Sequence, residues 1–167
     1  MITLTKRSYA NETDLPAIAN LINACEAVEQ LEQGTSVSEL EQSMDNPWLD
    51  PERDICLWED AGGKLIGYYR IGIPKSGKEI DGFLGFRVHP TARSGDLESQ
   101  IIAWGKGRLR EVSQERGKKV KLRSGARAGQ SQLITLLERQ GFIPERYFFI
   151  MERSHTKSRG APTCALN

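Results

Sequence analysis

Between residues 55 and 88 the chain reads ICLWED, AGG, KLIGYYRIGIP, SGKEIDG and FLGFRV in succession. Segments rich in β-branched and aromatic residues alternate with glycine-bearing turns, the pattern of consecutive antiparallel strands. A meander of this kind has an apolar face that needs a second layer. The sequence supplies one at once. LESQIIAWGKGRLREVSQER places Leu97, Ile101, Leu109 and Val112 along one helical face, with Gly105 in the same stripe. Gly105 and Gly107 lower the helix propensity of that segment. A sheet followed by a long amphipathic helix restricts the chain to a layered α/β architecture.

The remaining segments fit the same scheme. ITLTKRSY alternates apolar and polar residues as a first strand does. Residues 11–14 offer several helix caps, and LPAIANLINACEAVEQLE then sets Leu15, Ile18, Leu21, Ile22, Cys25 and Val28 at helical spacing. In SVSELEQSM, Ser36 and Glu39 form a capping box that opens a short second helix. NPWLDPERD, with two prolines, reads as a loop. KKVKLRS reads as a short strand, and QSQLITLLERQ as a helix closed by Gly141. FIPERYFFIMER reads as a final strand region interrupted by Pro144. The expected order is strand, two helices, three strands, helix, strand, helix, strand. It forms one domain over residues 1–153, with an irregular tail over 154–167.

Charge narrows the function. The formal net charge is +1, whereas a protein that lives on nucleic acid needs a strong basic excess. In the basic run RGKKVKLRSGAR, Arg116, Lys118, Lys119, Lys121 and Arg123 could face a polyanion or the 3′-phosphate of a nucleotide cofactor such as CoA. Strand alternation instead turns Val120 and Leu122 inward and the lysines outward, as a solvated face. No apolar run approaches a membrane span, and MITLTKRSYANETD lacks the apolar stretch of a signal peptide. Cys25, Cys56 and Cys164 show no CxxC spacing, and His89 and His155 give no zinc-ligand pattern. The expectation is a cytoplasmic protein with reduced thiols, no bound metal and no membrane contact.

The stretch HPTARSGDLESQII, residues 89–102, carries the chemistry. A strand end, an arginine, a turn with glycine and a helix start are laid out as in a phosphate-cradling loop. Together with GGKLIGYYRI and LITLLERQGFIPERYFFIMER, it resembles the GNAT (GCN5-related) N-acetyltransferase superfamily over about residues 2 to 153. The ending RYFFIMER is similar to the N-terminal halves of tandem GNAT proteins of the mycothiol synthase type. The resemblance implies a mixed, mostly antiparallel sheet with helices on both faces. It also implies acetyl-CoA as co-substrate and an amine as acceptor, with a second GNAT domain or a homo-oligomer as partner.

The family motif runs V-x-P-x-x-R-G-x-G-x-G. Here Val88, Pro90 and Arg93 agree, Ser94, Asp96 and Glu98 stand at the three glycines, and Gly95 falls between the first two. The resemblance therefore assigns CoA binding to Val88, Arg93, Ser94, Gly95, Asp96, Leu97 and Glu98. The two carboxylates allow a second reading, in which Asp96 caps the helix and the chain supplies its own anions. One carboxylate about 5 Å from a phosphate charge, at an effective dielectric of about 20, costs about 3 kcal/mol.

Catalytic residues are not assigned. The family's closing helix places an asparagine and a tyrosine where this chain has Gln130 and Leu137, and leucine transfers no proton. FLGFRV holds no carboxylate, and Glu79 and Asp81 read as turn residues before it. His89, ahead of a proline, reads as structural, and Tyr147 lies on a different element from the family's tyrosine. Amine specificity in such proteins lies around the first helices, here about residues 25–50. That segment's acidic EAVEQLEQGTSVSELEQSMD either attracts a cationic amine or forms the solvated face of two helices.

Overall fold

A computed structural model describes residues 3–30 and 34–147. The strands are β1 (Thr5–Ser8), β2 (Ile55–Glu59), β3 (Leu65–Gly72), β4 (Glu79–Val88) and β5 (Lys119–Ser124). The helices are α1 (Leu15–Val28), α2 (Val37–Met44), α3 (Pro51–Asp54), α4 (Asp96–Arg116) and α5 (Ser131–Arg139). The strands lie in the order β1-β2-β3-β4-β5. All neighbours are antiparallel except β4 and β5, which are parallel.

Helices cover both faces of the sheet. On one side α1 and α2 pack Leu15, Ile18, Ile22, Cys25 and Leu40 against Ile55, Leu57 and Tyr68. On the other, Leu97, Ile101, Ile102, Leu109 and Val112 of α4 meet Tyr69, Ile71, Ile80 and Leu84, and Leu137 of α5 joins them. The central strand β3 is buried almost throughout, which matches its nearly continuous apolar run. The expected stripe on α4 forms its buried face. Gly105 explains its own presence there, since a Cβ would lie 3.2 Å from Leu84 Cδ2. The missing side chain lets the helix sit close to the sheet, which offsets the lost helix propensity.

Several boundaries differ from the sequence reading. Glu79 and Asp81 belong to β4 rather than to a turn, because β5 supplies partners for both. Lys121 Nζ lies 3.8 Å from Glu79, and Arg123 Nε 3.0 Å from Asp81. The helix α1 stops at Val28, whose side chain is exposed instead of completing the apolar stripe. The proline loop contains the single turn α3, too short to show helical periodicity. It exists to aim Asp54: one carboxylate oxygen accepts the Asp50 N–H at 2.9 Å, the other the Arg108 Nε–H at 2.8 Å. Residues 142–147 are irregular. Pro144 lacks a donor and restricts the residue before it, so no strand forms there. The rest of the expected last strand, the tail and Cys164 lie outside the described residues.

Other expectations hold locally. Ser36 and Glu39 exchange both capping bonds. Gly141, at φ 91°, ends α5 with its N–H on the Glu138 carbonyl. Val120 and Leu122 pack inward while Lys119 and Lys121 are exposed.

The Asp54–Arg108 pair is buried, with each residue less than a tenth exposed. Removing one partner strands the other's charge in the interior. Asp54→Ala is expected to lower stability by about 3–5 kcal/mol, read as a shift of the urea midpoint at unchanged slope.

Candidate functional site

The parallel pairing of β4 and β5 ends at Leu84 and Ser124. There the Ser124 hydroxyl donates to the Leu84 carbonyl at 3.0 Å. Beyond this rung β4 continues to Val88, paired with β3 alone, while the other chain turns away through Gly125 and Gly129 into α5. The gap holds a cleft of about 1370 Å³. Its walls come from both faces of the sheet: the end of α1 (Val28 to Gln30), the tail of β4, the loop before α4, and the start of α5. A strand edge facing such a gap can receive an extended ligand.

The loop before α4 begins at His89, whose N–H bonds the Ile66 carbonyl at 2.8 Å. Its Nδ1 accepts the Thr91 N–H at 3.3 Å and lies 2.8 Å from Thr91 Oγ1, capping a turn over Pro90–Ala92. His89 is thus structural, as its position before proline suggested. Desolvation, with Lys64 and Arg93 adding to it, holds its imidazole below the ordinary value.

Arg93 is bound to its own chain. Its Nε–H donates to the Val88 carbonyl at 3.0 Å, and its guanidinium meets Glu29 at 3.1 Å. The Cys25 thiol donates to the same carbonyl at 3.2 Å. Burial pushes that thiol up, against the opposing pull of Arg93.

At the helix entrance Gly95 takes φ 91° and occupies the N-cap position. Asp96 is therefore the first helical residue, not the cap. It is exposed and does not line the cleft. The capping acid is Glu98. Its carboxylate accepts the Gly95 N–H at 2.9 Å, the residue is 7% exposed, and it forms part of the cleft wall. A left-handed glycine shifts the helix start by one residue, so the acid three places on reaches back to it. Ser94 lines the cleft, and its hydroxyl accepts the Asp96 N–H at 3.4 Å. Leu97 points into the core against Gly67, where an added Cβ would lie 3.1 Å away. Of the residues assigned to CoA binding, Val88, Arg93, Ser94, Gly95 and Glu98 line the cleft, and Asp96 and Leu97 do not.

Sequence reasoning missed Arg87 and Arg139 and met Arg127 only as the end of the basic run; the three complete the charged lining with Arg93, Glu29 and Glu98. They come from three separate elements, so no spacing marked them. It also missed Glu26, buried on α1 within the acidic segment, whose Oε2 has no hydrogen-bond partner among the described residues. Gln130 lines the cleft and accepts the Arg127 N–H through its side chain at 2.8 Å. Leu137 is buried at 7% exposure in the core beside Leu133 and Leu136. Tyr147 is 81% exposed and outside the cleft wall. Among the described residues no cluster of three or more His, Cys, Asp or Glu forms a metal site, and no helix is long and apolar enough to cross a membrane.

Sheet order, the parted parallel pair and the loop-to-helix entry beside it define a known class: the chain has the fold of the GCN5-related N-acetyltransferases. A GCN5-related N-acetyltransferase from Sphaerobacter thermophilus superposes with a TM-score of 0.73 at 22% identity, over 84% of this chain and 44% of that one. This chain thus spans less than half of that longer protein. The ribosomal-protein-S18-alanine N-acetyltransferase from Escherichia coli gives 0.61 at 17% identity, over 86% of this chain and 80% of that one. An aminoglycoside acetyltransferase from an uncultured soil metagenomic sample gives 0.58 at 13% identity, over 93% of this chain and 97% of that one. No family model and no curated protein matches the sequence.

Two predictions follow from the loop. A Cβ at Gly95 meets nothing within 4 Å, so Gly95→Ala carries only the left-handed penalty, about 1–2 kcal/mol, visible in thermal melts. His89 titrates lower in the folded chain than its ordinary value. Its contribution to stability is full above a pH of about 6.5 and is lost as pH falls through the lowered folded value. His89→Asn keeps a capping oxygen, so its stability should fall less than wild type between pH 7.5 and 5, measured by denaturation at each pH.

Proposed function

We propose that this chain is an acyl-CoA-dependent N-acyltransferase that moves an acetyl group from acetyl-CoA to an amine. The observation that carries this reading is the cleft opened where β4 and β5 part beyond Leu84 and Ser124. Its volume of about 1370 Å³ leaves room for an extended thioester, and its walls come from both faces of the sheet. Donor and acceptor can therefore approach the same point from opposite mouths. The fold shared with N-acetyltransferases supports the same reading.

The reaction needs little from the chain beyond placement. The amine nitrogen attacks the thioester carbonyl, the C–N bond forms, the C–S bond breaks, and the thiolate takes the proton that the amine loses. Leu137 offers no proton to the leaving sulfur, so that proton passes through water or the acceptor itself. Turnover by the chain alone is expected to be slow for this reason. Cytoplasmic placement remains part of the proposal.

A second reading is favoured by Glu98 and Leu137 together, which fill the anion position and remove the acid. In it the chain is a non-catalytic domain that packs against a partner, such as a second domain of its own kind. The partial span of the Sphaerobacter thermophilus protein is in line with it.

Acetyl-CoA with panels of polyamines, amino acids and peptide N-termini, followed by thiol release and product mass, decides between them. Acetylated amine above a no-protein control, however slow, supports the enzyme. A chain that acetyl-CoA does not stabilise in a thermal melt, where ligand at 100 times its dissociation constant adds about 2.7 kcal/mol, and that yields no product, supports the packing domain.

A further inference from the structure

The α1 side of the sheet carries two arginines that no acid holds. Tyr68 and Arg87 are directly paired across β3 and β4, and Arg70 stands opposite Gly85. Residues two apart on a strand share a face, so Arg70 and Arg87 lie with Tyr68 on the side that packs against α1. Burial pushes the Tyr68 phenol up, and both guanidiniums, Arg70 before Arg87, oppose that push. The two cations therefore reach one neighbourhood. Arg70 donates to the Ser43 hydroxyl of α2 at 3.0 Å, and Arg87 to the adjacent Phe86 carbonyl at 3.0 Å. Neither has a carboxylate partner among the described residues. Further along the same face the charges are matched, Glu79 with Lys121 and Asp81 with Arg123.

The sheet is open beside the two arginines. A Cβ on Gly85 would meet nothing within 4 Å. Gly85 is also the first residue of β4 past its last rung with β5, and with Arg87 it lines the cleft. Arg87 is exposed and stands two residues, about 7 Å, further along the strand. A molecule whose anionic end rests on Arg87 needs only a short reach to bring its other end to the gap. Of the acids at the end of α1, Glu29 is held by Arg93, and Glu26 is buried outside the cleft wall.

We propose that the acceptor is a short amine with its own carboxylate, of the α-amino acid class, gripped by Arg87 and Arg70 while its amine points to the gap beside Gly85. This inference rests on the N-acyltransferase reading and names its acceptor class. A planar guanidinium meets a carboxylate through two parallel hydrogen bonds, which a neutral amide cannot match. The same pair of cations repels a polyamine. The carboxylate takes no part in the bond changes. The amine nitrogen gains the acetyl carbon, the C–S bond breaks, and the sulfur leaves with the proton that the amine gives up.

The test is acetyl transfer from acetyl-CoA by the full chain to the common α-amino acids, to the α-amide of each, and to spermidine, read as thiol release with product mass. At least one amino acid should exceed its own amide about tenfold in kcat/KM, and spermidine should fall below both. Arg87 is exposed, so Arg87→Gln should melt as wild type does. It should raise KM for that amino acid about tenfold and leave kcat, and the amide, within about threefold. Arg70→Gln should shift the amino acid in the same direction. Wild type that acetylates amides or spermidine as well as amino acids overturns the inference and keeps the acyltransferase reading. So does Arg87→Gln with an unchanged ratio of amino acid to amide, or a chain that acetyl-CoA stabilises but that acetylates no amino acid. A chain with neither product nor stabilisation by acetyl-CoA removes the reading itself, and this inference with it.

Discussion

The hydrogen bond from the Ser124 hydroxyl to the Leu84 carbonyl is the last rung between two parallel strands, and the character of the site depends on its being last. A sheet that continued to pair would bury the tail of β4 and leave no gap. Here β4 keeps its partner on the β3 side to Val88. Its other edge faces the cleft. After Ser124 the departing chain turns away and brings α5 to form the opposite wall.

The loop and helix that border the cleft are held from behind. Gly105 lets α4 lie close to Leu84, and the buried Asp54–Arg108 pair fixes the helix against the turn before β2. A helix anchored along its length presents its N-terminus at a set position. The left-handed Gly95 and the His89 turn then determine how β4 enters it. Arg93 links this loop back to Val88 and across to α1 through Glu29. The cleft is therefore framed by contacts from both layers of helices.

The architecture was legible because it rests on periodicity. The apolar stripe of α4, the β3 run and the Ser36–Glu39 box each point to one structure over several residues. What failed lay at single positions. Asp96 and Glu98 are both acids in a first turn, and only the left-handed conformation of Gly95 decides which one caps. Glu79 and Asp81 look like turn residues until Lys121 and Arg123 arrive from a strand far along the chain. Arg87 and Arg139 reach the cleft from separate elements and leave no local signature. Leu137 was readable because an aliphatic residue with Leu133 and Leu136 at helical spacing suits a core.

The Val88 carbonyl accepts from both Arg93 and the thiol of Cys25. That thiol has no exposed surface, and burial disfavours its reactive thiolate. A thiol reagent can reach it only when the packing around it opens. The rate of its modification is thus a clock for local opening, and it runs without an added label. A ligand seated in the neighbouring cleft would slow that clock in proportion to how firmly it holds α1 against β4. The chain carries within its core a built-in reporter of local opening beside the cleft.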